Sequence, residues 1–121
     1  MKAIAVEYRR GRLLYIGTTN LDAGRGVIWD IGAIGSSCKP GALDLIHEVM
    51  LASASIPVAF PPVLIEVEAN GKTYDEIHVD GGVTRQAFLF NLSSEEDTFR
   101  RLNILGRGQA YIIRNSKLES T

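Results

Sequence analysis

The chain has 121 residues, of which 45% are hydrophobic and 22% charged, and its formal net charge is −1. That length holds one domain with a core of its own, and that composition argues against a wholly disordered chain. The near-neutral balance leaves no electrostatic footprint for nucleic acid, and a single cysteine excludes an internal disulfide and a four-cysteine zinc site.

The N-terminal MKAIAVEYRRGR has no apolar stretch followed by a small-residue cleavage site, so it does not read as a secretory signal. Within it, residues 3–10 predict a short helix closed at Gly11, a residue suited to a left-handed cap. Residues 13–19 (LLYIGTT) and 27–31 (VIWDI) predict two strands joined by NLDAGRG, a hairpin with a loop longer than two residues. GAIGSSCKPG at 32–41 reads as loop, because glycine, serine and proline punctuate it. A helix is expected from about Ala42 to Ala54, with Leu43, Ile46, His47 and Met50 on one face. On that face His47 reads as a satisfied core histidine. Pro57 stops the helix, and IPVAFPP is expected to be extended, since residues before proline avoid the α region. The longest apolar run, around Val49 to Phe60, is broken by Ser53, Ser55 and Pro57 and falls short of the ~20 residues of a membrane span.

Residues 63–69 and 72–79 flank Asn70-Gly71, the strongest short hairpin signal because both positions accept positive φ. A two-residue turn there pairs Ala69 with Lys72, Val67 with Tyr74, Ile65 with Glu76 and Val63 with His78, and sets Glu66 against Asp75. The tip is then wet and the base buried, with apolar residues on both faces, as in a strand covered from two sides. Residues 86–92 predict a further strand. Residues 93–102 predict a helix with Glu96–Arg100 and Asp97–Arg101 pairs on a solvated face, and 109–114 a last strand. The order β-β-α-β-β-β-α-β is mixed α/β.

The sharpest chemical feature is HVDGG at 78–82. Asp80 closes an apolar strand ahead of two glycines, which is how many α/β enzymes place a catalytic acid or base at the rim of a sheet. The plainer alternative is a turn, since aspartate and glycine both favour turns. The second feature, ASASIPVAFPP at 52–62, is either a rigid segment held against a site or a tight helix-to-strand connection.

Taken together, ASASIPVAFPPV and the HVDGG that follows it resemble the patatin-like phospholipase family. GTTNLDAGRGVIWDIGAIG upstream resembles the segment preceding these motifs in bacterial members. The resemblance covers residues 3–115, with the motifs in order. It implies a serine acyl hydrolase with a Ser–Asp dyad on a three-layer α/β/α fold with a mixed sheet. It also implies that Asp80 is the aspartate of that dyad. Gly81 and Gly82 would shape its turn, and Pro57 and Phe60 would wall the site. Neither a metal nor an organic cofactor is implied.

The chain departs from the family in one respect. The family uses a Gly-x-Ser-x-Gly elbow and a glycine-rich oxyanion loop, and neither occurs here. Ser37 follows Gly35 by two, but position 39 is lysine, and no strand is expected to run straight into a helix at that point. Residues 1–121 therefore read as the C-terminal part of a catalytic domain whose nucleophile-bearing half is absent. Met1 is then an internal start, a cloning methionine or an artefact of gene boundaries.

His78 shares a strand face with Tyr74, Glu76 and Asp80, so a Ser-His-Asp set or a metal site is conceivable. The family dyad uses neither, and His78 reads as hydrogen-bonded support beside Asp80. Cys38 lacks a nearby base, Gly24-x-Gly26 and Gly106-x-Gly108 lack the third glycine of a dinucleotide fingerprint, and Arg9, Arg10 and Arg12 read as a solvated helix end. The expected partners are a lipid or acyl-ester substrate and, through exposed sheet edges at 13–16 and 27–31, other copies of the chain. A membrane surface is a further candidate partner, and nucleic acid is not. The alternative to an enzyme is a non-catalytic relative that binds lipid or protein.

Overall fold

The four strands of the computed structural model, which describes residues 1–84 and Tyr111, form one sheet. Helix α1 (Lys2–Arg9) precedes a hairpin of β1 (Tyr15–Asn20) and β2 (Arg25–Asp30). Helices α2 (Ile31–Ser36) and α3 (Ala42–Ser53) follow, then a second hairpin of β3 (Val63–Ala69) and β4 (Lys72–Asp80), and a 3-10 turn over Gly81–Val83. The sheet order is β2-β1-β4-β3, and every pairing is antiparallel. Helices and sheet thus combine as expected of an α/β chain, but the described strands do not form the expected mixed sheet. The elements predicted at 86–92, 93–102 and 109–114, and the Gly106-x-Gly108 turn, lie outside the described residues, Tyr111 apart.

The second hairpin follows its sequence closely. Asn70 and Gly71 sit at φ 53° and 72°, the geometry that a two-residue turn requires. The ladder pairs Ala69 with Lys72, Val67 with Tyr74, Ile65 with Glu76, Glu66 with Asp75 and Val63 with His78. The tip is exposed, whereas Ile65, His78 and Val79 near the base are buried.

One face of the sheet carries Ile16, Trp29, Val63, Ile65 and Val67 against α3, and Ile31, Ile46, Val49, Ala52 and Ile65 form the centre of the core. The buried stripe of α3 is Ala42, Ile46, Val49 and Ala52, not the expected one: Leu43 and Met50 face solvent, and so does His47. Both stripes have helical spacing; packing of small Ala42 and Ala52 against the sheet selects the narrower one. His47 is therefore a surface residue and not a core histidine.

On the opposite face, Leu64 and Ile28 remain exposed, so these strands are not covered on both sides at those positions. Thr19 and Val79 are buried there, and Thr84, just after the 3-10 turn, bonds to Thr19 through their hydroxyls at 3.0 Å. Among the described strands β1 lies between β2 and β4, but only its Thr18–Asn20 pair with β4, whereas Tyr15 and Ile16 pair with β2 alone. Helix α1 packs on α2 so closely that a Cβ on Gly32 would collide with the Tyr8 ring.

A second correction concerns residues 32–41. Strand β2 runs directly into α2, with the Asp30 carboxylate accepting from the Ala33 N–H at 3.0 Å as its N-cap. A strand-to-helix junction is therefore present, contrary to expectation, with Asp30 and Ile31 at the turn and no serine there. The glycines that suggested loop are tolerated because Gly32 and Gly35 are buried against α1.

Candidate active site

Asp80 is the last residue of β4, and its main chain is held at both ends. Its N–H donates to the Ser55 carbonyl at 3.0 Å, and its carbonyl accepts from the Thr19 hydroxyl at 3.0 Å. Across the ladder it faces Thr18. One carboxylate oxygen, Oδ1, accepts from the Gly82 N–H at 2.8 Å, the bond to the second residue ahead that turn aspartates make. The side chain is half-buried, and among the described residues it has no ion pair and Oδ2 has no hydrogen bond. Arg85, the nearest candidate for an ion pair in sequence, lies outside the described residues.

The two glycines shape the turn in different ways. Neither adopts positive φ, so permissive dihedrals are not what the turn needs from them. A Cβ on Gly81 would lie 2.7 Å from the Gly17 carbonyl oxygen and 2.8 Å from its carbon, so the position is fixed by close approach of two backbones. A Cβ on Gly82 would meet only the Asp80 carboxylate, at 3.3 Å.

Residues 56–60 are not extended. The Ala59 and Phe60 N–H groups both donate to the Ile56 carbonyl, which closes a turn. Proline at 57 is compatible with that turn because its own fixed φ suits the first bend. The turn places Val58 at φ 74°, a conformation that costs an L residue about 1–2 kcal/mol and a β-branched one the most. Pro57 and Phe60 belong to this turn and are exposed. The segment touches the end of β4 through Ser55, which is buried and whose hydroxyl donates to the Leu51 carbonyl at 2.7 Å.

Two residues along β4 from Asp80, His78 is completely buried and hydrogen-bonded through both ring nitrogens. Nδ1 lies 2.9 Å from the Thr18 hydroxyl and Nε2 3.1 Å from a Glu76 carboxylate oxygen, and the ring leans on Trp29 at 5.6 Å between centroids. The Trp29 indole N–H, a donor only, donates to the same Thr18 hydroxyl at 2.8 Å. With His78 neutral, Thr18 donates its one proton to Nδ1, and Nε2–H donates to Glu76. This carboxylate–imidazole–hydroxyl chain has the connectivity of a catalytic triad. Thr18 is nonetheless sealed, so no substrate reaches the hydroxyl and the chain is a structural pin of β1 to β4. Sequence alternation reveals Glu76 and His78 on one face; it cannot reveal Thr18 or Trp29, which depend on the pairing of β1 with both neighbours.

The remaining candidates lie apart from Asp80. Cys38 is exposed, with only a long contact to the Ser36 carbonyl. Arg10 and Arg12 fold back onto Glu7 at 2.8 and 3.1 Å. Among the described residues no group of three or more His, Cys, Asp or Glu side chains could hold a metal. No helix there is long and apolar enough to cross a membrane. A groove of about 570 Å³ between α2, the start of α3 and β3 carries Asp44, Glu48 and Glu66 beside Lys39. Tyr15, opposite Asp30 on the β1–β2 ladder, has its ionisation pushed above the ordinary 10.0 by burial, then by the Asp30 carboxylate and Tyr8.

The stretch from β1 to just past the Asp80 turn is also what known proteins share with this chain. The family described as patatin-like phospholipase matches residues 16–90, more than half of the sequence. No curated protein and no solved structure matches. The match takes in both hairpins, the 52–62 segment and the Asp-Gly-Gly turn, and it associates the chain with lipid hydrolases and lipid substrates. The chain belongs to the patatin-like phospholipase family.

Proposed function

We propose that Asp80 is the general base of a Ser–Asp dyad in a lipid acyl-ester hydrolase, on a three-layer α/β/α fold of which this chain contributes the carboxylate side. The observation that carries the reading is the state of the Asp80 carboxylate. Oδ1 is anchored to Gly82 N–H, while Oδ2 is unpartnered among the described residues, on a backbone bonded to Ser55 and Thr19. A base needs that combination of fixed position and one free oxygen.

In the dyad, Oδ2 takes the proton of a serine hydroxyl as its oxygen attacks the ester carbonyl. The C–O bond to the alcohol then breaks, and the alcohol leaves with the proton from Asp80. Water, deprotonated by the same carboxylate, releases the fatty acid and returns the proton to serine. The chain has no Gly-x-Ser-x-Gly, so the serine and the oxyanion donors come from outside residues 1–121. Gly81, Gly82 and His78 position the carboxylate, and Pro57 and Phe60 border the site. The same missing motif favours the second reading, a non-catalytic relative that binds lipid or protein. Association of copies through the β2 and β3 edges, which no described strand covers, belongs to either reading.

The test is hydrolysis of p-nitrophenyl esters. Residues 1–121 alone should give no rate above the blank. A protein that joins them in frame to the upstream coding sequence should be active, and Asp80→Asn should lower its kcat by about 10²–10⁴-fold. Activity of the isolated chain, or an active longer protein indifferent to Asp80→Asn, would overturn the dyad. If the upstream frame holds a stop codon and no companion chain supplies the serine, the binding reading stands instead.

A further inference from the structure

Asn70 is the one asparagine of five that glycine follows. The pair forms the tip of the β3–β4 hairpin at φ 53° and 72°, and residues 68–73 are all exposed. Among the described residues neither the Asn70 side-chain amide nor the Gly71 N–H has a hydrogen bond. Nothing lies within 4 Å of the place where a Cβ on Gly71 would stand, so the approach to its nitrogen is open. Asn20, the other described asparagine, is the opposite case. It is 2% exposed, and its Oδ1 accepts from the Ala23 N–H at 2.9 Å. The N–H of the next residue, Leu21, is tied to the Ile77 carbonyl at 2.8 Å.

We infer that Asn70 is a modification site, deamidated spontaneously to aspartate and isoaspartate through a succinimide closed by the Gly71 nitrogen. Gly71 gives its amide proton to hydroxide, and its nitrogen attacks Asn70 Cγ. The N–Cγ bond forms, the bond from Cγ to the side-chain nitrogen breaks, and that nitrogen leaves as ammonia with a proton from water. Water then opens the ring. Addition at Cγ breaks the new bond and leaves aspartate in an unaltered main chain. Addition at the Asn70 main-chain carbonyl breaks the original peptide bond and leaves isoaspartate, with one more carbon in the main chain. Ring closure needs Cγ to swing onto the Gly71 nitrogen, which a closed two-residue turn resists, so the tip must open first. The two pairs nearest the tip, Ala69–Lys72 and Glu68–Thr73, join exposed residues that take no part in the core, so opening costs little. At Asn20 the same motion would part β1 from β4 beside the buried His78. The glycine that gives the hairpin its positive φ is thus also the residue that leaves the amide unprotected.

The test is peptide mapping of the 121-residue chain after incubation in mildly alkaline buffer made with heavy-oxygen water. Trypsin releases residues 26–72, in which Asn70 is the only side-chain amide, and residues 13–25, in which Asn20 is. In a growing share of molecules the first fragment should exchange its amide nitrogen for one labelled oxygen, and an isoaspartyl methyltransferase should methylate it. Residues 13–25 should stay unlabelled. Asn70→Gln, whose longer side chain would have to close a six-membered ring, should lose the reaction. The folded chain should react within about tenfold of the rate of the urea-unfolded chain, because an exposed tip opens at almost no cost. An unlabelled 26–72 fragment would overturn the inference. So would a folded chain slower than that margin, since the turn would then be shielding the amide, or labelling of residues 13–25 as fast as that of 26–72.

Discussion

Replacing Gly81 by alanine isolates the contact that fixes the Asp80 turn. The added Cβ would lie 2.7 Å from the Gly17 carbonyl oxygen, 2.8 Å from its carbon and 3.3 Å from the Thr18 nitrogen, all backbone atoms. None can yield without moving β1, whose Thr18, Thr19 and Asn20 pair with Asp80, Val79 and His78. Overpacking against rigid neighbours costs about 1–3 kcal/mol. Alanine also restricts the unfolded chain and returns about 0.4–1 kcal/mol where its dihedrals are compatible. A net loss of about 1–2 kcal/mol lowers the melting midpoint of a chain this size by roughly 4–8 °C. Gly82→Ala is the matched control. Its Cβ would meet only the Asp80 carboxylate at 3.3 Å, a contact relieved by a shift of a few tenths of an ångström in that side chain, so stability should change by less than about 0.5 kcal/mol, in line with substitutions that touch no rigid feature. Urea unfolding followed by Trp29 fluorescence measures both. Equal midpoints for Gly81→Ala and the parent would refute the close-approach account and return the turn to simple glycine flexibility.

Thr18→Val keeps the side-chain shape but strands the buried His78 Nδ1 and takes a partner from Trp29, so it should cost about 1–3 kcal/mol; urea unfolding of the variant within 0.5 kcal/mol of the parent would dismiss the pin. Tyr15 should be a late titrating member of the four tyrosines, ionising above 10.0 in absorbance titration, and Asp30→Asn should bring its ionisation down, whereas Tyr15→Phe should delete the late step. Its raised folded value means the neutral phenol favours the fold: that contribution is complete below 10.0 and is lost as pH climbs through the folded pKa.

How much of this was legible in the sequence depended on range. The β3–β4 hairpin was readable pair by pair, since Asn70-Gly71 sets the register locally and a period of two does the rest. Asp80 at a strand end was readable for the same reason. The α3 stripe was misplaced because Leu43 and Met50 have the right spacing and only packing against the sheet shows that Ala42 and Ala52 fill the interface. The α2 helix was hidden by glycines whose lack of a side chain serves the Tyr8 and Ile4 contacts of α1, a tertiary reason that outweighs propensity.

The site divides along the same line. What identifies Asp80 is local: an apolar strand, a carboxylate, two glycines. What holds it is not. Ser55 reaches its N–H across 25 residues, Thr19 its carbonyl across 61, and Gly81 passes Gly17 with no room for a methyl group. The Thr18–His78 bond adds a side-chain tie between the same two strands. The base of the proposed dyad would have to stay within hydrogen-bond reach of its proton, about 2.6–3.2 Å, so that proposal leaves this carboxylate a tolerance of a few tenths of an ångström. Local turn chemistry alone leaves more slack than that, since the Gly82 bond fixes one oxygen relative to its own loop and not relative to the sheet. The long-range ties to β1 and to the end of α3 turn a local Asx turn into a fixed point of the fold, and they are the part of the site that the pairing of distant strands, and no short motif, determines.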